Sequence, residues 1–112
     1  MDNVIAGHVS RIADYERAIR DDAIEVVRRL PVDRPENWRT TISLAVKAGL
    51  SPRDLAEIGA TSTSSISRWA DGSSVPPITS RRWIQNELCK EFGVANLADE
   101  HSGVDEMSAA AE

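Results

Sequence analysis

The sequence predicts an all-α fold, and three observations predict it. Apolar residues recur every three or four positions in several segments, the period of one helix face. Residues that start helices (Ser, Thr, Asp, Pro) and residues that stop them (Gly) bracket those segments in the right order. Neither the alternating apolar and polar pattern of a half-buried strand nor a hairpin signal occurs, and no internal repeat is found.

Taken in order, residues 10–30 place Ile12, Tyr15, Ile19, Ala23, Val26 and Leu30 on one helix face. The opposite face carries Glu16 with Arg20 and Glu25 with Arg29, in the favourable acid-before-base order four residues apart. Pro31 and Pro35 end this helix, because a proline disfavours helical geometry in the residue before it. Asp33 and Glu36 have the spacing of a capping box, opening a second helix through Trp38, Ile42, Ala45 and Val46 to Ala48. Gly49 supplies its end.

Ser51 caps a short third helix over 52–58, with Pro52 in the tolerated first position and Asp54 facing the free backbone donors. After Gly59 and Ala60, Thr61 or Ser62 opens a fourth helix through Ile66, Arg68 and Trp69, which Asp71 and Gly72 end. Residues 73–77 read as a connecting loop. Thr79 or Ser80 caps a fifth helix in which Ile84, Leu88 and Phe92 lie four apart, and Gly93 marks its end. Trp38, Trp69 and Trp83 are assigned to the core, and Cys89 to a small, partly buried position beside the last helix's apolar stripe.

Composition narrows the function classes. With 112 residues, 41% of them apolar and 28% charged, the chain suits one core of modest size. A single cysteine excludes a disulfide scaffold. No apolar run approaches the roughly 18 residues that span a bilayer, and the first residues lack the basic and apolar pattern of a signal peptide. A soluble, cytoplasmic protein with no membrane contact is therefore expected.

The net charge of −5 sits entirely in residues 93–112, which hold five carboxylates and no Lys or Arg. Residues 1–92 balance 13 bases with 13 acids, and residues 47–90 are net +2. Overall acidity thus leaves room for a polyanion partner, because attraction depends on where charge sits. Catalysis finds no constellation: His8 and His101 lie in opposite terminal segments, and no Cys or carboxylate cluster has metal-ligand spacing. Asp71-Gly72-Ser73-Ser74 lacks the glycine pair and Lys of a phosphate loop. No enzyme, cofactor or metal is expected.

Two short helices joined by a turn of three or four residues, with apolar anchors, form the layout of a helix-turn-helix at 52–69. The run from Leu55 to Trp69 (LAEIGATSTSSISRW) resembles the DNA-binding core of the lambda-repressor-like, Cro-type regulators. Trp69-Ala70-Asp71-Gly72 with Pro76 looks like that family's end of the recognition helix. The resemblance covers about half of the chain, Trp38 to Phe92. It departs at Pro52, where the family often has Gln, at Ala60, which aligns with its turn glycine, and at Thr61, usually aliphatic.

The resemblance implies a five-helix lambda-repressor-like domain over 36–92; the N-terminal helix with its linker over 1–35 is additional to it, and the acidic tail over 93–112, poor in large apolar groups, reads as disordered or weakly helical. Ala56 is then small because the two helices cross there, while Leu55, Ile66 and Trp69 face the core. It places groove-facing side chains at Ser62, Thr63, Ser64, Ser67 and Arg68 near the start of the recognition helix. Arg68 has the chemistry to grip a guanine edge or a phosphate. Arg53, Arg81 and Arg82, near helix starts, are the candidate phosphate contacts.

The expected function is sequence-specific regulation of transcription, as a repressor or autoregulator, by a homodimer on two half-sites of double-stranded DNA. The N-terminal helix either packs on the domain or pairs subunits, and the sequence leaves both open. Two rivals remain: a helix-turn-helix module that binds a protein, such as an anti-activator or antitoxin, and a DNA-packaging or recombination accessory factor. A protein partner would use the N-terminal helix or the acidic tail.

Overall fold

A computed structural model describes the backbone of residues 2–98 and the side chains of residues 12–98. Among the described residues five helices follow one another: α1 (Asp2–Val27), α2 (Glu36–Lys47), α3 (Pro52–Ile58), α4 (Thr63–Asp71) and α5 (Ile78–Phe92). The described residues contain no strand, and no helix among them is long and apolar enough to cross a membrane. Four helices lie within 36–92, so a count of five is reached only with α1.

Helix α2 touches α1 and α4, α3 touches α4 and α5, and α1 also touches α5. Trp38, Ile42, Leu55, Ile66, Trp69, Ile84 and Leu88 form the centre, joined by Val27 and Val32 from the end of α1 and the segment after it. Full burial of such side chains contributes about 1.5–3 kcal/mol each, which makes this cluster the main source of stability. Trp38 and Trp69 meet edge to face with ring centroids 5.7 Å apart, a preferred aromatic geometry that fixes α2 against α4.

Local signals locate most helix ends. Ser51 caps α3 in a full capping box: its hydroxyl accepts from the Asp54 N–H, and the Asp54 carboxylate accepts from the Ser51 N–H. Those bonds, the backbone one foremost, hold the Asp54 carboxyl below the usual carboxylate range. Ser62 caps α4 by accepting from the Ser65 N–H.

Two expected caps are absent. Neither α2 nor α5 has a side-chain cap; each follows directly on a proline, Pro35 and Pro77. The Asp33 carboxylate, expected to cap α2, accepts two hydrogen bonds from Arg82 instead, at 2.9 and 2.7 Å.

The helix ends from α2 onward share one device, a left-handed residue whose N–H and successor's N–H close back on the last turn. Glycine serves at Gly49, Gly72 and Gly93. After α3 the residue is Ala60, at φ 50°, with Ala60 N–H donating to Glu57 O and Thr61 N–H to Ala56 O. Gly59, one residue earlier, has an ordinary φ of −86°.

Residues 28–35, which link α1 to α2, are held by α5. Gln85 Nε2 donates to Val27 O and Leu30 O, and Arg81 donates from Nε to Val32 O at 2.7 Å and from a terminal nitrogen to Asp33 O. Asn37 adds a bond to Pro31 O. Residues 93–98, expected in the flexible tail, form a strap: Leu97 and Ala98 N–H both donate to Arg28 O, and Ala98 is buried. The rest of the expected acidic tail, 99–112, lies outside the described residues.

The N-terminal helix departs most from expectation. It begins at Asp2 rather than near residue 10, and its core-facing residues are Ala23, Ile24 and Val27. Ile12, Tyr15, Ile19 and Val26, read as its apolar face, are exposed at 59%, 69%, 39% and 43%. Trp83, assigned to the core, is also exposed.

Candidate nucleic-acid interface

Helices α3 and α4 and the turn between them make a unit whose inner side is apolar. Leu55 and Ala56 from α3 and Ile66 and Trp69 from α4 are buried against α2 and α5. Four residues, with Ala60 at positive φ, join α3 to α4. Because Ile66 and Trp69 point inward, residues offset by a third to a half turn must point outward. Ser62, Thr63, Ser64, Ser67 and Arg68 are all exposed.

These side chains are not equally available to a ligand. The Ser62 hydroxyl is engaged by its cap and donates to Ser65 Oγ. Arg68 makes one long bond of 3.4 Å from a terminal nitrogen to Ser65 Oγ, which leaves its other donors toward solvent. Thr63, Ser64 and Ser67 present hydroxyls on the same outer side. Ser73, after α4, returns its N–H and hydroxyl to Arg68 O, fixing the loop that follows.

The four arginines divide. Arg53 projects from the first turn of α3 with its side chain 87% exposed, near Glu57 at 4.0 Å. Arg68 lies on α4 beside the hydroxyls. Arg81, expected to meet phosphate, is buried, and besides Val32 O and Asp33 O it donates to Pro76 O. A guanidinium enclosed by three carbonyls of its own chain holds loops together and has no path to a phosphate. Arg82 forms a two-pronged pair with Asp33, and its hydrogen bonds hold the Asp33 carboxyl below the ordinary range. Both residues expected to meet phosphate are thus engaged within the chain, Arg81 buried and Arg82 paired with Asp33 while partly exposed.

One exposed cation was missed in the sequence. Arg39, on the first turns of α2, lies beside the end of α4: a β-carbon on Gly72 would meet its Cδ at 3.4 Å. Its charge also contributes to lowering the Asp71 carboxyl's pKa, after the bonds from Ser73. Residues 39 and 72 are far apart in sequence, and only the packing of α2 on α4 brings them together, so no local spacing signals the pair.

Other chemistry has little to stand on. Among the described residues no group of three His, Cys, Asp or Glu is placed to hold a metal ion. Cys89 is buried, and burial pushes its thiol pKa up, away from the reactive thiolate. The fold and this surface define an all-α chain with an uncovered, hydroxyl-rich helix carrying one arginine. No family model, curated protein or solved structure significantly matches the chain.

Proposed function

We propose that the chain is a DNA-binding transcriptional regulator of the lambda-repressor-like, Cro-type helix-turn-helix class, acting as a homodimeric repressor or autoregulator on a two-part operator. The observation that carries this reading is the α3–turn–α4 unit. Its left-handed turn residue, Ala60, occupies the position where that class has its turn glycine, and the uncovered side of α4 carries Ser64, Ser67 and Arg68. A rigid helix whose first turns project polar side chains suits a major groove, in which Arg68 would grip a guanine edge and the hydroxyls bases or phosphates.

The electrostatic footprint is small. With Arg81 and Arg82 engaged within the chain, Arg53 and Arg68 remain from the expected phosphate set. Two cations per protomer give a dimer about four phosphate contacts and a log–log salt slope near −3.6, half of what four per protomer would give. The same thin charge favours a second reading, a helix-turn-helix module that binds another protein through this surface.

The test is binding of the purified full-length chain to labelled DNA from its own upstream region and to scrambled DNA, over a range of salt. Selective binding that Arg68→Ala weakens about tenfold or more supports the regulator, one lost bidentate base contact being worth about 1–3 kcal/mol. Equal affinity for both DNAs at moderate salt, unaffected by Arg68→Ala, would shift the reading to the protein-binding module.

A further inference from the structure

Helix α1 holds the largest unexplained feature of the molecule. Its 26 residues make a rod about 39 Å long, yet the body covers only its end, at Ala23, Ile24 and Val27. Every residue from Ile12 to Asp22 is exposed. An isolated stretch of helix this long is marginal in water, and this one carries Ile12, Tyr15 and Ile19 into solvent. The stripe runs into an apolar groove, where two adjoining depressions of about 320 and 210 Å³ lie between Ile19, Ala23 and Val26 of α1 and Leu44, Lys47 and Ala48 of α2 and its end.

The spacing of the stripe says what kind of surface covers it. Ile5, Ile12, Ile19 and Val26 recur every seven residues. An α-helix of 3.6 residues per turn drifts by about 20° per seven residues, so a strict repeat of seven stays in line only when two helices supercoil around each other. A helix resting along a globular body has no need of that repeat. The rod's own charges choose the direction: residues 12–26 hold five carboxylates and two arginines, whereas residues 2–11 hold one acid and one base. A parallel pair would set two acidic halves side by side. An antiparallel pair lays each acidic half along the other copy's neutral half, which includes Arg11 and the positive end of its helix dipole.

We infer that α1 is an antiparallel dimerisation arm, whose heptad stripe pairs with that of a second copy of this chain and whose first turns enter the other copy's groove between α1 and α2. This deepens the proposed regulator by giving its dimer a surface, and in its DNA consequence rests on that reading. Full overlap, centred near residue 14, would put the two attachment points at Ala23 about 27 Å apart along the arm. The bodies lie beyond those points, a scale that suits half-sites one DNA turn, about 34 Å, apart.

The experiment needs no DNA, so its failure is separate from failure of the regulator reading. The mass of the full-length chain is measured by sedimentation equilibrium from about 1 to 200 μM, for the wild type and for Ile12→Asp with Ile19→Asp. The expected result is a wild-type dimer whose dissociation constant rises at least about 100-fold in the variant, four buried isoleucines per dimer being lost. Unchanged fluorescence of the core tryptophans shows that the body still folds. A wild-type monomer throughout the range, or a variant dimer of unchanged strength, would overturn the inference. Direction is read by cross-linking with a short bis-maleimide: Tyr15→Cys, near the centre, is expected to cross-link to its copy, and Val26→Cys is not. Cross-linking at both positions, or at neither, would overturn the antiparallel arrangement.

Discussion

Helices α4 and α5 both carry arginine that the sequence reading offers to DNA, and they use it in opposite ways. On α5, Arg81 is buried against three carbonyls and Arg82 is paired with Asp33, so this helix spends its cations on the link between α1 and α2. On α4, Arg68 donates one long hydrogen bond to a neighbouring serine and faces solvent among hydroxyls. The difference lies in the surroundings. Residues 76 and 31–33 pass beside α5 with backbone acceptors that no helix satisfies, and buried acceptors demand donors. Among the described residues nothing of the kind covers the start of α4, where Ser62, Thr63 and Ser64 are exposed. An arginine becomes scaffold where the chain brings unpaired carbonyls to it, and remains free for a ligand where it does not.

Replacing Arg81 is the strongest way to break this contrast. Arg81→Ala removes donors from Val32 O, Pro76 O and Asp33 O in a closed site, and the expected loss is about 3 kcal/mol, read by urea unfolding. Arg68→Ala is expected to change the same midpoint by less than about 0.5 kcal/mol, as exposed substitutions do. If Arg81→Ala left stability intact and weakened DNA binding instead, the two helices would have exchanged roles. Next in size is Ala56→Leu, which overpacks the buried crossing of α3 and α4. A loss of about 1–3 kcal/mol is expected in the same experiment, and an unchanged midpoint would remove Ala56 from the crossing.

What the sequence disclosed, and what it hid, follows the range of the interactions. The Ser51–Asp54 box, the Ser62 cap and the stops at Gly49, Gly72 and Gly93 are local, each settled within a few residues, and they are found where expected. Asp33 looked like a cap because Glu36 stands three residues on, but Arg82, 49 residues away, takes its carboxylate. The periodicity of α1 announced a helix, which is found, but of the face it picked out only Ala23 is buried while Ile12, Tyr15, Ile19 and Val26 are exposed, and Ile24 and Val27 outside that face reach the core, since amphipathicity does not say which neighbour a face meets. Trp83 shows the same: an aromatic beside an apolar stripe that ends on the outside. In the candidate interface, the exposure of Ser64, Ser67 and Arg68 was legible from the inward spacing of Ile66 and Trp69. The approach of Arg39 to Gly72 depends on how α2 packs on α4 and left no sequence signal.

Ala60 offers a finer probe of the turn that joins α3 to α4. It is the one residue other than glycine with positive φ among those described, and a β-carbon in that conformation is crowded by the backbone. Ala60→Gly relieves the crowding and gives back part of the gain as greater freedom of the unfolded chain. A net stabilisation of about 0.5–1 kcal/mol is expected in thermal or urea unfolding. A loss of stability would mean that Ala60 does not hold the left-handed position.

The smallest effect tests the structural role of Arg82. Its hydrogen bonds lower the Asp33 carboxyl relative to the unfolded chain, so the folded state binds that proton less readily. The contribution of the pair is therefore complete above the ordinary carboxylate range and is lost as pH falls from about 5 through that range into the lowered one. Both side chains are about two-fifths exposed, at 41% and 37%, which limits the contribution to under about 1 kcal/mol. Asp33→Asn should lower stability slightly at pH 7, and the gap between variant and wild type should close as the pH approaches 3. A gap that stayed constant with pH would show that the Asp33 charge contributes nothing to holding the link against α5, and would leave that task to Arg81 and Gln85 alone.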